Sequence, residues 1–390
     1  MAPRASSVPK DRQTQARGHH LYLSAMAAKL RGFWLRISDG VAIHQLWEQF
    51  RADARTSYHL YSKELESKEI EGESRRKRGW RVARELFWAV MMKLSPARRV
   101  LLLVALVILF LPSIRIAGEH FAVETSGLQF WAGAILLVLL ALELADRVTM
   151  KRDLEIAREI QRWLMPSAAP EVPGVDIAFA ARPANTVAGD YYDAFLRPNE
   201  HLLIIVADVA GKSVPAALLT ATLQASLRTL ASLPGSLTDL AIRVNRYACE
   251  QNLGGTRFTT AFLGELDPAT GCLTYVNAGH NWPVLRRASG AIERLETGGL
   301  PLGLTAARPY QSGTTALAPG DLLFIFTDGI IEAENGQALE YGEERMLALM
   351  QRLQGVTASE ALNRLMSSVD SFVGLARQHD DMTCLVMKKC

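Results

Sequence analysis

Two charge-free apolar runs separated by one short loop constrain this chain more than any other feature. Val100 to Ile114 reads VLLLVALVILFLPSI, and Phe130 to Leu142 reads FWAGAILLVLLAL with Gly127 and Leu128 leading into it. A bilayer core takes about 20 apolar residues, so the first run is short and needs tilt or help from flanking residues, with Pro112 near its end. The connecting RIAGEHFAVETSG is too little chain to cover both runs. That favours a membrane hairpin over a buried helical pair in a soluble domain. Arg75, Arg76, Lys77, Arg78, Arg81, Arg84, Lys93, Arg98 and Arg99 precede the first run, and Arg147, Lys151 and Arg152 follow the second. The loop itself holds only Arg115. Basic residues stay on the cytoplasmic side, so both ends are expected there. The membrane region is expected at 98–145, with spans at about 98–117 and 127–145.

The flanking regions are less informative. MAPRASSVPKDRQTQARGHH is polar and has no secretory pattern, so 1–40 reads as disordered. Residues 41–97 read as a basic, helical, cytoplasmic region. Its RRKR at 75–78 suits anionic lipid headgroups better than nucleic acid, being immediately before a membrane segment. A net charge of +3 gives no argument for nucleic acid either. Cys249, Cys272, Cys384 and Cys390 show neither a CxxC pair nor a zinc spacing and read as reduced thiols. After the second run, Leu154, Ala157, Ile160 and Leu164 recur at spacings of three and four, which predicts a linker helix over 146–166 that Pro166 stops. That stripe suits packing on its own domain or pairing with its twin in a homodimer, and the residues leave both open.

From 167 to 390 the texture changes to short apolar runs bounded by turn residues: VDIAFAAR, HLLIIVADV, TTAFLGELD, CLTYVNAG, DLLFIFTDG and MTCLVMKK. These read as strands. Several follow one another across a bare turn, as in ELDPATGCL, which favours antiparallel hairpins over a doubly wound sheet. The expected fold is α+β, with packed antiparallel sheets flanked by helices. Acids recur at strand ends: Asp190 and Asp193 in VAGDYYD, Asp208 after HLLIIVA, Asp328 after LLFIFT, and Asp380 with Asp381 before the last strand. One Asp at a turn is ordinary. Several gathered at one sheet edge repel each other unless a hard cation sits among them, and oxygen-only ligands select Mg²⁺ or Mn²⁺ over zinc.

In order along the chain, VAGDYYD, ADVAGKSVPAAL, FTTAFLGELD, NAGHNWP, PLGL, PGDLLFIFTDGIIEAEN and HDDMT resemble the landmarks of the bacterial stage II sporulation protein E type of phosphatase. That group belongs to the metal-dependent, type 2C serine/threonine protein phosphatases. The resemblance covers roughly 150–390, including the helical entry EIQRWLMP. It implies a central β-sandwich holding two Mn²⁺ or Mg²⁺ ions at its edge. By position, Asp190 would serve one ion, Asp208 would bridge both, Asp328 and Asp380 would complete the second site, and Val209 would offer its backbone carbonyl. Asp193 and Asp381 would be accessory, holding metal-bound water. Two cations at such a site activate a water for in-line attack on phosphorus. His280 is a candidate acid for the leaving oxygen, against a simpler role shaping its loop. Arg182 is a candidate for holding phosphate, against an exposed strand residue. Ala188 and Ser213 stand where the family usually has glycine, and neither change removes a carboxylate.

The resemblance thus implies an enzyme that hydrolyses phosphoserine or phosphothreonine on a signalling protein such as an anti-sigma factor antagonist. It would be a multi-pass protein of the bacterial inner membrane with its N-terminus and phosphatase domain in the cytoplasm. Two alternatives stand beside it: a catalytically silent membrane scaffold that binds a phosphoprotein, and a small-molecule phosphohydrolase.

Overall fold

A computed structural model of the chain describes residues 80–390 except 82–83, 85–86, 89–90, 111–114, 119–120, 125–126, 212–213 and 252–256. The stretch 1–40, most of 41–97 with its RRKR run, and Ser213 therefore lie outside the described residues. The chain divides into two compact units, with the boundary between Leu142 and Glu143.

In the first unit, α1 (Pro96–Phe110) is a helix of 15 residues with no charge after Arg99. The loop that follows holds an antiparallel ribbon, β1 (Arg115–Gly118) against β2 (Phe121–Glu124). Next comes α2 (Leu128–Leu164), whose 37 residues run without interruption. The second span expected at about 127–145 and the linker helix expected over 146–166 both fall on it. The structure joins them, because no Gly or Pro falls between Ala145 and Leu164 to break the ladder. Among the described residues one helix, α2, is long and apolar enough to cross a membrane, and α1 falls short of that length. Phe130, Trp131, Leu137, Val138 and Leu140 on α2 are exposed, which is consistent with lipid as their solvent.

The second unit is built on two sheets. One has the order β10-β7-β6-β5-β4, with β11 also on β7, and the other has β3-β13-β12-β8-β9. The first sheet comprises β4 (Asp190–Leu196), β5 (Leu202–Val209), β6 (Thr259–Leu266), β7 (Cys272–Ala278), β10 (Gly298–Gly299) and β11 (Gly313–Ala316). The second comprises β3 (Val175–Arg182), β8 (Val284–Arg286), β9 (Ile292–Arg294), β12 (Leu322–Phe326) and β13 (Met382–Lys389). All pairings in it are antiparallel except β10 on β7. Helices α3 (Val214–Ala231) and α4 (Leu237–Gln251) cover the first sheet. After the short α5 (Asp328–Ile331), α6 (Glu343–Gln351) and α7 (Ala358–Val373) cover the second.

Burial on both faces explains why β5 reads as an unbroken apolar run. Leu202, Ile204 and Val206 point between the sheets, where they meet Phe262, Leu285, Leu323, Ile325 and Leu385. Leu203, Ile205 and Ala207 point the other way, onto Leu227, Leu240 and Val244 of α3 and α4. The two-residue period of a strand thus assigns each side chain from Leu202 to Ala207 to one of two cores. The α+β sandwich expected from the hairpin pattern is the fold observed, in four layers.

Phe262 lies fully buried between the sheets and stacks on Tyr275 with ring centroids 5.8 Å apart. Phe262→Ala should cost about 3–5 kcal/mol of stability, read as a lowered denaturation midpoint with an unchanged slope.

Candidate active site

The space between the sheets is apolar along its length and turns polar at one end. Strand parity puts Asp208 on the same face as Val206, and register sets Asp190 of β4 directly across from it. Thr260 of β6 lies opposite Asp208 on its other side. Asp190, Asp208 and Thr260 therefore form one row on the inner face of the first sheet. From the second sheet Thr327, the residue after β12, donates its hydroxyl to Asp190 Oδ2 at 2.9 Å. The same Oγ1 accepts from the Thr383 amide at 2.9 Å.

Asp190 is almost fully buried. Burial foremost, then the Asp208 charge and that of Asp381, hold its carboxyl well above the ordinary carboxylate value, while the Thr383 and, less so, the Thr327 side chains pull the other way. A cation would relieve this repulsion, and an all-oxygen donor set suits Mg²⁺ or Mn²⁺. The donor chemistry therefore fits such an ion. Among the described residues, no three His, Cys, Asp or Glu side chains converge closely enough to hold one. The structure brings Asp190 and Asp208 together and does not close Asp328 and Asp380 with them into a single cluster.

Asp328 and Asp380 are nevertheless neighbours along the backbone. A Cβ on Gly329 would lie 2.0 Å from the Asp381 carbonyl oxygen and 3.4 Å from the Asp380 carbonyl carbon. The glycine after Asp328 is thus needed for close approach of two segments, whereas the sequence alone suggests a turn. Asp381 is committed to the backbone: Oδ1 accepts from the Ala184 amide at 2.7 Å and Oδ2 from the Gly189 amide at 2.6 Å. It latches the loop that enters β4.

The same loop is held from two further sides by residues that sequence reasoning missed. Gln161 of α2 donates to the Ala188 carbonyl at 2.7 Å and accepts from the Ala188 amide at 3.0 Å. Thr220 of α3 donates to the Gly189 carbonyl at 2.7 Å. A Cβ on Gly189 would stand 3.2 Å from the Val209 carbonyl oxygen, so that carbonyl lies against the loop. Ala188 departs from the usual glycine without strain, since among the described residues only Glu200 and Ala338 have positive φ outside glycine. The packed stripe on α2 is Leu154, Ala157, Gln161 and Leu164, while Ile160 is exposed. A polar residue in phase with that stripe was the available signal for Gln161.

Three further candidates are engaged with other partners. Asp193, three residues along a strand from Asp190, must face the opposite side. It points under α3, fully buried, and accepts from Arg228 Nε at 2.8 Å, Arg228 Nη2 at 2.7 Å, the Tyr191 hydroxyl at 2.8 Å and the Ala194 amide at 2.9 Å. It is not brought to the carboxylate row. Arg182 is half-buried and paired with Asp370 of α7. His280 is buried, with Nδ1 3.0 Å from Thr260 Oγ1. Burial pushes its pKa down to about 4, against a smaller opposing effect of the Phe326 backbone, so the ring is neutral at pH 7 and has no imidazolium proton to give.

Residues 198–389 match the sequence model of the family described as Stage II sporulation protein E (SpoIIE). The SiaA-PP2C domain of Pseudomonas aeruginosa superposes with a TM-score of 0.55 and 22% identity, over 63% of this chain and 98% of that domain. The fold is PP2C-like. In sequence, the chain is 27% identical to Protein IcfG of Synechocystis sp. over 278 residues, and 28% identical to phosphoserine phosphatase RsbU of Bacillus subtilis over 243. The two alignments take in 64% and 62% of this chain, but 43% of IcfG and 71% of RsbU. Less than half of IcfG therefore has a counterpart here.

Two predictions follow from the geometry of this PP2C-like end of the sandwich. Arg228→Ala leaves the buried Asp193 carboxylate without its ion pair and should cost about 2 kcal/mol, below the usual range for a buried pair because the guanidinium is 44% exposed. Denaturant unfolding of the variant reads this. His280 titrates near 6.5 when unfolded and near 4 when folded. Between those values the unfolded chain binds more protons, so stability falls as pH drops from about 6.5 to 4, by about 3 kcal/mol in all. Unfolding of wild type and His280→Asn across that range should show this part of the slope in wild type alone.

Proposed function

We propose that the chain is a membrane-anchored, metal-dependent serine/threonine protein phosphatase acting on a phosphorylated signalling protein. The observation that carries the reading is the buried Asp190 directly across a ladder from Asp208, at the end of the sandwich where Thr327, Asp328, Asp380 and Asp381 arrive from the other sheet. The similarity to RsbU, a phosphoserine phosphatase by name, supports the substrate class. An anti-sigma factor antagonist is the kind of partner that the sequence resemblance suggests.

Asp190, Asp208, Asp328, Asp380 and the Val209 carbonyl would hold two Mn²⁺ or Mg²⁺ ions. When bound, such ions supply an activated water and neutralise phosphoryl charge. The chain's own residues prepare the place. Thr327 orients the Asp190 carboxylate through its donated hydrogen bond. Asp381, Gln161 and Thr220 hold the backbone of residues 184–189 from three elements. Gly189 leaves room for the Val209 carbonyl to approach, and Gly329 allows the two acidic segments of the second sheet to touch. Arg182, tied to Asp370, and Asp193, tied to Arg228, serve the fold.

Both ends are proposed to be cytoplasmic, with α1 and the first part of α2 as a two-pass anchor in the bacterial inner membrane and the basic segment before α1 on anionic lipid. The distribution of Lys and Arg around the apolar runs supports this. Ile156, Ile160 and Trp163, exposed along one side of α2, support pairing with a second copy.

The test is phosphate release by the full chain in detergent, from a phosphoserine peptide and from para-nitrophenyl phosphate, with Mn²⁺ or with chelator. Turnover should require Mn²⁺, and Asp208→Ala should reduce it beyond the ~100-fold that loss of an outer partner costs. Turnover that survives chelation would refute the metal mechanism. A preference for the small ester over the peptide would move the assignment to a small-molecule phosphohydrolase.

A further inference from the structure

We infer that His280 and Thr260 act as a pair of positioning residues for the carboxylate row, with the imidazole fixing the Thr260 hydroxyl beside Asp208. The inference rests on the proposed metal-dependent reading and extends it to two residues that hold no ion themselves.

Register comes first. Thr260 sits opposite Asp208, which sits opposite Asp190, so all three side chains emerge on one face at one level of the sheet. The hydroxyl of Thr260 is the next polar group after the two carboxylates. Its hydrogen bond to His280 Nδ1, at 3.0 Å, fixes a rotor that otherwise turns freely.

The loop that carries His280 is built to hold the ring still. Asn277, buried between the sheets, accepts from the His280 amide at 2.7 Å and donates to the His280 carbonyl at 3.1 Å. Gly279 adopts φ +68°, and a Cβ there would lie 2.5 Å from Pro301. Backbone and side chain of His280 are thus fixed from separate directions. The Phe326 backbone also approaches the ring from the second sheet, one residue before the Thr327 that holds Asp190. An apolar side chain of similar volume would fill the same space without burying two ring nitrogens. A loop-filling role therefore leaves the choice of histidine unexplained, and the bond to Thr260 explains it.

The experiment compares Mn²⁺ binding by the full chain in detergent, read from the electron paramagnetic resonance of free Mn²⁺, with phosphate release and thermal melting of the same samples. Thr260→Val keeps the shape and removes the hydroxyl, and His280→Ala removes the ring. Each should weaken Mn²⁺ binding by ~10-fold. The double variant should be no weaker than either single one, because the two residues act through one contact. Thr260→Ser should recover most of the affinity. Thr260→Val bearing wild-type Mn²⁺ affinity, or a double variant whose losses multiply, would overturn the inference. A His280→Ala protein that fails to fold leaves the Thr260→Val and Thr260→Ser comparison to decide. If wild type itself binds no Mn²⁺, the proposed function fails and this inference with it, whereas wild-type binding unaffected by Thr260→Val sinks the inference alone.

Discussion

Asp190 faces Asp208 across a β-ladder, and the end of the sandwich is organised around that repulsion. Directly opposed like charges destabilise a sheet, and burying one of them sharpens the penalty. The surrounding residues share the work of holding the pair. Thr327 reaches across from the second sheet to donate to Asp190, and Asp381 accepts two amides of the loop entering β4. The cost of keeping the carboxylates close is thus spread over both sheets. Removing one contact loosens the joint between the sheets as well as the site.

The two cores of β5 explain why this arrangement occurs only at one end. Along most of the strand both faces are committed to apolar packing, inward on Phe262 and Leu323 and outward on Leu227 and Val244. A carboxylate in that run would be buried without partners. At Asp208 the run leaves the tightly packed interior, and polar groups from neighbouring strands share its level: Asp190, Thr260 and Thr327. Parity then divides the acids of β4. Asp190 is delivered to that level, and Asp193 is sent under α3, where Arg228 meets it with a fork of two bonds.

Much of the fold was legible in the sequence, because strand runs ending in Asp and tight hairpin turns survive without tertiary context. The site was legible by residue type and less so by contact. Asp190 and Asp193 look alike in VAGDYYD, and only the choice of strand over turn separates their faces. Gly329 resembles a turn residue until the Asp381 carbonyl is seen against it. The spacing of three and four in DLEIAREIQRWLMP places Ile160 in the apolar stripe, because hydrophobicity is the criterion. Burial follows Gln161 instead, whose amide satisfies both backbone groups of Ala188.

His280 shows how far residue type alone can mislead. A histidine near acidic motifs in a phosphatase-like chain invites the role of general acid. Full burial instead favours the neutral ring, which suits a geometric contribution. Geometry offers a definite one: a ring locked by Asn277, bonded to Thr260, in the row that contains both carboxylates. A neutral imidazole can fix a hydroxyl without adding charge beside an acidic pair. Such a role would not add a titration near neutral pH, whereas a general acid would bring its own.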